Sequence, residues 1–399
     1  MDYFILYDGS IEWKNLLPLT FTRPISEIRL GIFTIRERWE RYIGGKAFVI
    51  TKPYLSKKYS FVMGKKGIYK NVLIINSSFL PNEELIQIIF ELRENEAVFF
   101  KEKIVAVRKS HFSFENPFSL QALNGYKKKC YINQVVDIQK PWDIFMNNEI
   151  VLEKDFLFLT KGKNSFSLFG NNHIISKEKI FLEEDMTTEN IVLNAKFGPI
   201  YLGKGVQIME GSMIRGPAAI CKKSILNMGT KIYGGTTIGP FCKIGGEIKN
   251  SVIFSYSNKA HDGFLGNTIL GEWCNLGAGT NISNLRNDYS KVTVWNYEKK
   301  SFCPIDVQFF GMIMGDYSKS SINTQFNTAT IVGVNASIFG YGFPPRYIPS
   351  FSLGGIQERK IISFKKVCET ADIMMKRRDV TFSLLDKEIL KYLYHSMDE

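Results

Sequence analysis

From residue 200 onward the aliphatic residues keep a six-residue beat. Leu202, Ile208, Ile214, Ile220, Leu226, Ile232, Ile238 and Ile244 lie six apart without a miss. Two residues before each sits Ile200, Val206, Ser212, Ala218, Ser224, Thr230, Thr236 or Cys242, mostly small. A period of six fits neither the 3.6 of a helix nor the 2 of a strand. It is the pattern of a hexapeptide β-helix, in which each repeat makes one short strand and a turn and three repeats close a triangular coil. The aliphatic position points into the prism, and glycine serves the tight corners. A second run, Phe264, Leu270, Leu276 and Ile282, begins 20 residues after Ile244 and is out of phase. A third, Met314, Ser320, Phe326, Val332 and Ile338, is weaker. The interruptions at 245–263 and about 283–310 read as loops thrown out from the stack, where function concentrates. Pro344, Pro345 and Pro349 end the repeats. Residues 367–395 read as a helix, with Leu385, Ile389 and Leu393 on one face and Ser383-x-x-Asp386 as its cap.

Before residue 185 the pattern alternates. Tyr3–Tyr7, Ala47–Thr51 and Val72–Ile75 are strand-like, Ala97–Phe100 and Ile104–Val107 form a hairpin, and Ile32–Ile43 and Glu83–Leu92 have helical spacing. Strands alternating with helices predict an α/β domain with a partly parallel sheet. Glycine content marks the boundary: residues 198–355 hold 23 of the 32 glycines. The expected organisation is an α/β domain over 1–185, the repeat domain over 186–355 and a helical tail over 356–399.

Composition narrows the classes. Hydrophobic residues at 45% and charged residues at 23% are ordinary globular usage. No apolar run reaches the ~18 residues of a membrane helix. The start from Met1 to Asp8 has no basic region or cleavage site, so the cytoplasm is the expected compartment. Six scattered cysteines without a Cys-x-x-Cys pair argue against a zinc ribbon or disulfide scaffold, and four histidines against a multi-histidine metal site. The net charge of +12 suits anionic partners, phosphorylated small molecules among them. It is dispersed along the chain, and no nucleic-acid-binding motif accompanies it.

The loop regions carry a resemblance. Lys249-Asn250-Ser251, His261, Leu265-Gly266, Asn275-Leu276-Gly277-Ala278-Gly279-Thr280 and Asn284 resemble the acetyltransferase half of the bifunctional N-acetylglucosamine-1-phosphate uridyltransferase/glucosamine-1-phosphate N-acetyltransferase family. Asn15-Leu16-Leu17-Pro18-Leu19-Thr20-Phe21-Thr22-Arg23-Pro24 and Ala260-His261-Asp262-Gly263-Phe264-Leu265-Gly266 are similar to a shorter branch of those enzymes, labelled sugar nucleotidyltransferases. The resemblance implies an N-terminal nucleotidyltransferase-like domain, a left-handed parallel β-helix, and a homotrimer with acetyl-transfer sites between subunits. It implies acetyl-CoA as donor, an amino-sugar 1-phosphate as acceptor, and nucleotidyl transfer from UTP or dTTP with Mg²⁺, giving UDP-N-acetylglucosamine.

Acetyl transfer to an amine needs a base for the amine's proton and donors for the thioester oxyanion. His261 is the sole histidine of the repeat region and matches the family's base. Lys249 suits a sugar phosphate as a point charge. Asn284 and Asn275 match sugar-contacting and turn positions, and Gly277, Ala278 and Gly279 could offer backbone N–H groups to the oxyanion or coenzyme A. There are departures. Phe264 replaces a tyrosine, Asn227 stands where an arginine clamps the phosphate, with Arg215 as a candidate replacement, and Lys291 is one residue off a family lysine.

The first half departs further. Asp8-Gly9-Ser10 stands in for a Gly-rich phosphate loop, Ile25 for a lysine and Ser77 for a metal-binding aspartate. Asp8, Gly9, Arg23 and Arg29 are the remaining nucleotide-site candidates, with Lys14 as a further cation. The rival readings are a single-function enzyme with one half inactive and a non-enzymatic sugar-nucleotide-binding scaffold. A zinc-dependent β-helix is disfavoured by the single histidine.

Overall fold

The computed structural model describes residues 3–59, 69–113, 126–168, 170–355 and 357–396. The chain divides into two compact units. One comprises Met1–Leu16, Thr22–Ile28 and Phe33–Lys140, the other Leu17–Phe21, Arg29–Ile32 and Pro141–Glu399.

The first unit is built on a six-stranded mixed sheet. Its order is Lys46–Ile50, Tyr3–Tyr7, Tyr69–Asn76, Lys103–Phe112, Glu96–Phe100, Lys127–Tyr131. Tyr3–Tyr7 is parallel to both neighbours, and Lys103–Phe112 is antiparallel to both of its own. Phe4, Ile5 and Leu6 are all buried, as in a strand covered on both faces. The helix expected over Ile32–Ile43 spans Ile35–Ile43, because a capping box between Thr34 and Glu37 starts it there. It ends on Gly44, whose φ of 75° is the left-handed conformation of a helix stop. Trp39 on this helix is fully buried and donates its indole N–H to the Phe79 carbonyl at 2.9 Å.

The second unit is a parallel β-solenoid whose three faces are sheets of nine, ten and eight strands. The inward positions run as the six-residue beat predicts. Leu202, Ile208, Ile214, Ile220, Leu226, Ile232, Ile238 and Ile244 are buried in one continuous core. Burying such a side chain contributes roughly 1.5–3 kcal/mol. The small residues of the repeat do a second job. Ser224 Oγ donates to the Gly239 carbonyl and accepts from the Cys242 N–H, tying one coil to the next. Ser257 and Ser318 repeat the device. Glycine does not serve every corner: Phe241, Tyr256, Trp273 and Tyr317 take left-handed φ values between 60° and 63°. Stacking of Phe241 on Tyr256 at 4.8 Å and Tyr256 on Trp273 at 4.2 Å offsets that strain.

Three expectations need correction. Residues 245–263 are not a loop thrown out. The coil continues through Glu247–Lys249, Val252–Ile253 and Asn258–Lys259, with Ile248, Ile253 and Lys259 inside and Leu265, rather than Phe264, taking the next inward place. The beat is lost because two corners are shortened and a lysine fills one inward position. The stack also begins before residue 186, with His173–Ile175 and Ile180–Leu182 pairing onto the strands above. Those first strands lie in a glycine-poor stretch, so glycine content marks the start too late. The tail holds two helices, Phe364–Lys376 and Leu384–His395, rather than one. Ser383 and Asp386 form the expected capping box, and that cap divides them. The second interruption is a true insertion, carrying the antiparallel pair Thr293–Asn296 and Ser301–Pro304.

The sequence reading missed the 20-residue helix Pro141–Thr160. It packs on the solenoid strands Ala218–Ile220, Thr236–Ile238, Val252–Ile253 and Ile269–Leu270. That face therefore buries its outward residues too, Ala219 and Thr237 among them. Asn148 on the helix is the polar hub. Its amide donates to the Gly235 carbonyl at 2.8 Å and to Thr237 Oγ1 at 3.0 Å, and its oxygen accepts from the Gly31 N–H at 2.7 Å. Asp155, two turns further along the same helix, accepts from the Ile32 N–H at 2.8 Å. Removing a partner from a buried group leaves the other unpaired, at about 1–3 kcal/mol each. Asn148→Ala is expected to lower the stability of the chain by about 2–4 kcal/mol in urea denaturation, and an unchanged midpoint would contradict this account.

Candidate active site

The eight-stranded face gathers the residues of the motif at its corners. In register, Ile248 pairs with Leu265 and Lys249 with Gly266, and Leu265 pairs with Ile282 on the next rung. Lys249, Gly266 and the start of the insertion at Ser283 thus stack in one column, at ~4.8 Å per rung. A Cβ on Gly266 would meet the Phe264 ring at 2.6 Å and the Asn284 amide nitrogen at 2.7 Å. Phe264 and Asn284 therefore lean together over a glycine floor. Asn284 is fixed there, its amide donating to Asn267 Oδ1 at 2.8 Å and its carbonyl accepting from the Phe310 N–H at 2.9 Å. Lys249 is exposed beside them.

Arg215 belongs to the same column. Ile214 pairs with Ile232, and Ile232 with Ile248, so Arg215 stands two rungs below Lys249. That is roughly 10 Å. Its guanidinium lies 5.5 Å from the centre of the Phe197 ring.

His261 sits at the other end of the strand Phe264–Gly266, in the corner 260–263, with its side chain exposed. At ~3.3 Å per residue the strand is about 10 Å long. The backbone of this corner is tied from every side. The Ala260 carbonyl accepts from the Asn227 amide at 2.7 Å, and the His261 carbonyl from the Lys259 ammonium. The Asp262 carbonyl accepts from the Gly279 N–H and the Gly263 carbonyl from the Glu247 N–H, both at 3.1 Å. The corner also lies directly on glycine: a Cβ on Gly245 would stand 2.4 Å from the Ala260 oxygen.

Several expected roles change with this geometry. Asn227, at the position of a phosphate-clamping arginine, holds the His261 corner instead. The N–H groups of Gly277 and Gly279 are already donated, to the Ser320 and Asp262 carbonyls, so neither is open to an oxyanion. Both glycines are needed for packing, since a Cβ would meet Ser321 carbon at 2.4 Å and Asn323 Oδ1 at 2.2 Å. The Ala278 carbonyl between them accepts from the Asn323 N–H at 2.7 Å. Asn275 lies on the ten-stranded face, where its side chain accepts from Asn258, away from Lys249 and Asn284. Lys291 is engaged with Asp306 in the insertion.

Two arginines escaped the sequence reading. A cleft of about 380 Å³ opens beside Ser283 and includes Arg286, Asn327, Thr328 and Arg346. Arg286 holds Asp288 through two bonds, of 3.0 and 2.9 Å, which keep that carboxyl well below its usual range. Arg346 donates to the Thr293 carbonyl at 2.8 Å and lies 4.4 Å over the Phe302 ring. Burial and the charge of Arg286 both push its guanidinium down. Neither arginine falls in a motif, and only the fold of the insertion places them on one cleft.

In the first unit, Asp8 follows the strand Tyr3–Tyr7 at the point where neighbouring strands diverge to either side. Ligands of open α/β sheets bind outside strand ends at such points. Asp8 is buried, and its Oδ2 accepts from the Ile25 N–H at 3.0 Å and Thr51 Oγ1 at 2.7 Å. Burial pushes its carboxyl up to about 6, against those two hydrogen bonds. The Ser77 N–H bonds the Tyr7 carbonyl at 2.9 Å, so Ser77 adjoins it. Gly9 is crowded by the Glu12 side chain. Glu12 Oε2 occupies the place a Cβ on Gly9 would take, 1.9 Å away. Arg23 is buried. Arg29 is buried in the second unit, where it donates to the Ile32 carbonyl and stabilises its own turn, so it is not part of this site.

Comparison with known proteins gives a family model for the first part of the chain and relatives similar over about half of it. Residues 4–164 match the family model described as sugar nucleotidyl transferase. A bifunctional GlmU protein of Methanocaldococcus jannaschii is 28% identical over 218 residues, covering 55% of this chain and 46% of its own. One from Methanococcus maripaludis is 30% identical over 219 residues, covering 54% and 45%. A bifunctional sugar-1-phosphate nucleotidylyltransferase/acetyltransferase of Sulfurisphaera tokodaii is 26% identical over 269 residues, covering 67% and 60%. The chain spans about half the length of the first of these relatives. With residues 4–164 matching the sugar nucleotidyl transferase model and a parallel β-solenoid after them, the chain is similar to the bifunctional nucleotidyltransferase/acetyltransferases.

Proposed function

We propose that the solenoid transfers an acetyl group from acetyl-CoA to an amino-sugar 1-phosphate, with glucosamine 1-phosphate as the leading acceptor. The observation that carries this reading is the exposed His261 imidazole on a corner whose four successive carbonyls are all bonded. The acceptor nitrogen attacks the thioester carbonyl carbon. A C–N bond forms, the C–S bond breaks, the amine proton passes to His261, and coenzyme A leaves as its thiol after taking a proton. An imidazole nitrogen can take up that proton. Lys249 meets the sugar phosphate, Asn284 a sugar hydroxyl, and the cleft of Arg286 and Arg346 a further phosphate group. His261 and the Lys249–Asn284 corner stand at opposite ends of one strand, so the site is completed between neighbouring copies, in a homotrimer.

The first unit transfers a nucleotidyl group from UTP or dTTP to the acetylated sugar 1-phosphate, giving UDP-N-acetylglucosamine or its dTDP counterpart. Mg²⁺ would supply charge neutralisation on the triphosphate. Among the described residues no group of three or more His, Cys, Asp and Glu is placed to hold a metal ion. Asp8 Oδ1 is buried without a hydrogen-bond partner and fits as a single protein ligand. Mg²⁺ accepts such a set when substrate phosphates provide the rest. Ile25, Ser77 and the Glu12 carboxylate at Gly9 favour a second reading, in which the first unit no longer transfers and the solenoid alone is active. All six cysteines are free. Among the described residues no helix is long and apolar enough to cross a membrane.

His261→Ala is expected to slow thiol release from acetyl-CoA with glucosamine 1-phosphate by at least ~10²-fold. Absence of thiol release from the unmodified protein, across a panel of amino-sugar phosphates, would overturn the acetyltransferase reading. Asp8→Asn is expected to abolish Mg²⁺-dependent release of pyrophosphate from UTP or dTTP. It also tests the burial of Asp8. A carboxyl raised in the folded state favours folding fully below its unfolded pKa of 3.8 and loses that advantage as pH rises through about 6. Unfolding in urea should therefore show the unmodified protein losing on the order of 3 kcal/mol relative to Asp8→Asn between pH 4 and pH 7. A pH-independent difference would mean that Asp8 titrates as an ordinary carboxylate.

A further inference from the structure

Lys259 stands where the solenoid places aliphatic residues. In register, Ile244 lies below it and the next strand of the same face carries Leu276 inward. The lysine is 1% exposed, the most buried cation among the described residues, and it belongs to none of the groups assigned above to substrate. An ammonium in an apolar prism is costly, and burial pushes its pKa down to about 8, opposed by the charge of Asp262. Leucine or isoleucine would fill the same slot at no such cost. The compensating contact is specific. The ammonium donates to the His261 carbonyl. Of the four carbonyls of the corner, 260, 262 and 263 are taken by Asn227 and by N–H groups of adjacent coils. The carbonyl of His261 is bonded by a long side chain reaching out from within the prism.

We propose that Lys259 is a positioning residue for His261: from inside the coil it fixes the backbone of the catalytic corner and so aims the imidazole at the acceptor amine. The inference rests on the assignment of His261 as the base. It accounts for the loss of the aliphatic beat beside the candidate site, because the inward position there is used for orientation rather than for packing. A catalytic group held by its own backbone needs no reorganisation when substrate binds, and a displacement of 1 Å can cost ~10²-fold in rate.

The test compares the full chain with Lys259→Met, Lys259→Leu, His261→Ala and the double variant Lys259→Met/His261→Ala. Thiol release from acetyl-CoA with glucosamine 1-phosphate gives kcat and KM, and thermal unfolding gives Tm. Both Lys259 variants restore an apolar side chain to the prism, so Tm is expected to equal or exceed that of the unmodified protein. Their kcat is expected to fall ~10–100-fold with the KM for acetyl-CoA unchanged. The double variant is expected to be no slower than His261→Ala alone, because the lysine acts through the histidine. Full kcat in the Lys259 variants, with His261→Ala impaired, would overturn the positioning role while leaving the base assignment intact. Full activity in His261→Ala would overturn the base assignment itself. A kcat loss in both Lys259 variants that follows a fall in Tm would assign the lysine to stability alone and overturn the proposal.

Discussion

A triangular coil admits one inward side chain per face at each rung, and whatever stands there is removed from water. That constraint organises the solenoid. It demands an aliphatic residue at regular intervals, from Leu202 to Ile244 and again from Leu265 to Ile282. It makes small residues useful at the corners, where Ser224, Ser257 and Ser318 bridge successive coils. It also makes any polar inward residue conspicuous. Lys259 breaks the filling rule and is the point at which the prism's interior reaches the corner that carries His261.

The regular part of this architecture was legible in the sequence because it is repetitive. Eight equally spaced aliphatic residues define a period that chance does not give, and each of them is inside. The reading failed where the period did. Shortened corners between Ile244 and Leu265, with a lysine inside, look from the sequence like a loop, and they are coil. The start of the stack was hidden because glycine is sparse before residue 198. The helix Pro141–Thr160 was hidden for another reason. It buries polar groups, Asn148 and Asp155, together with apolar ones, so no clean apolar stripe marks it.

The candidate site divides in the same way. His261, Lys249 and Asn284 were proposed from their motif, and the register sets their arrangement, with Lys249 and Asn284 at one corner and His261 at the other. Residues whose role depends on the fold were missed or misassigned. Arg286 and Arg346 are 60 positions apart in the chain and share a cleft only through the insertion. The glycines 277 and 279 carry a catalytic-looking pattern, yet their N–H groups are used to bind neighbouring coils. In the first unit the sheet is six-stranded and mixed, and the Glu12 carboxylate lies against Gly9, where the resemblance implied a phosphate loop.

The hydrogen bonds from Asn148 and Asp155 to Gly31 and Ile32 have an evolutionary corollary. The segment Arg29–Ile32, which lies in the chain between two strands of the first sheet, and the helix that follows that sheet both belong to the solenoid's unit. The second unit is therefore not one continuous stretch of sequence, and a gene cut at residue 140 would leave it without Leu17–Phe21 and Arg29–Ile32. If chemistry in the first half decayed, natural selection could still not delete its reading frame. A half retained because its stretch of chain carries segments of the solenoid's unit, rather than for what it catalyses, would accumulate substitutions at its site while keeping its strands, of the kind read at Ile25 and Ser77.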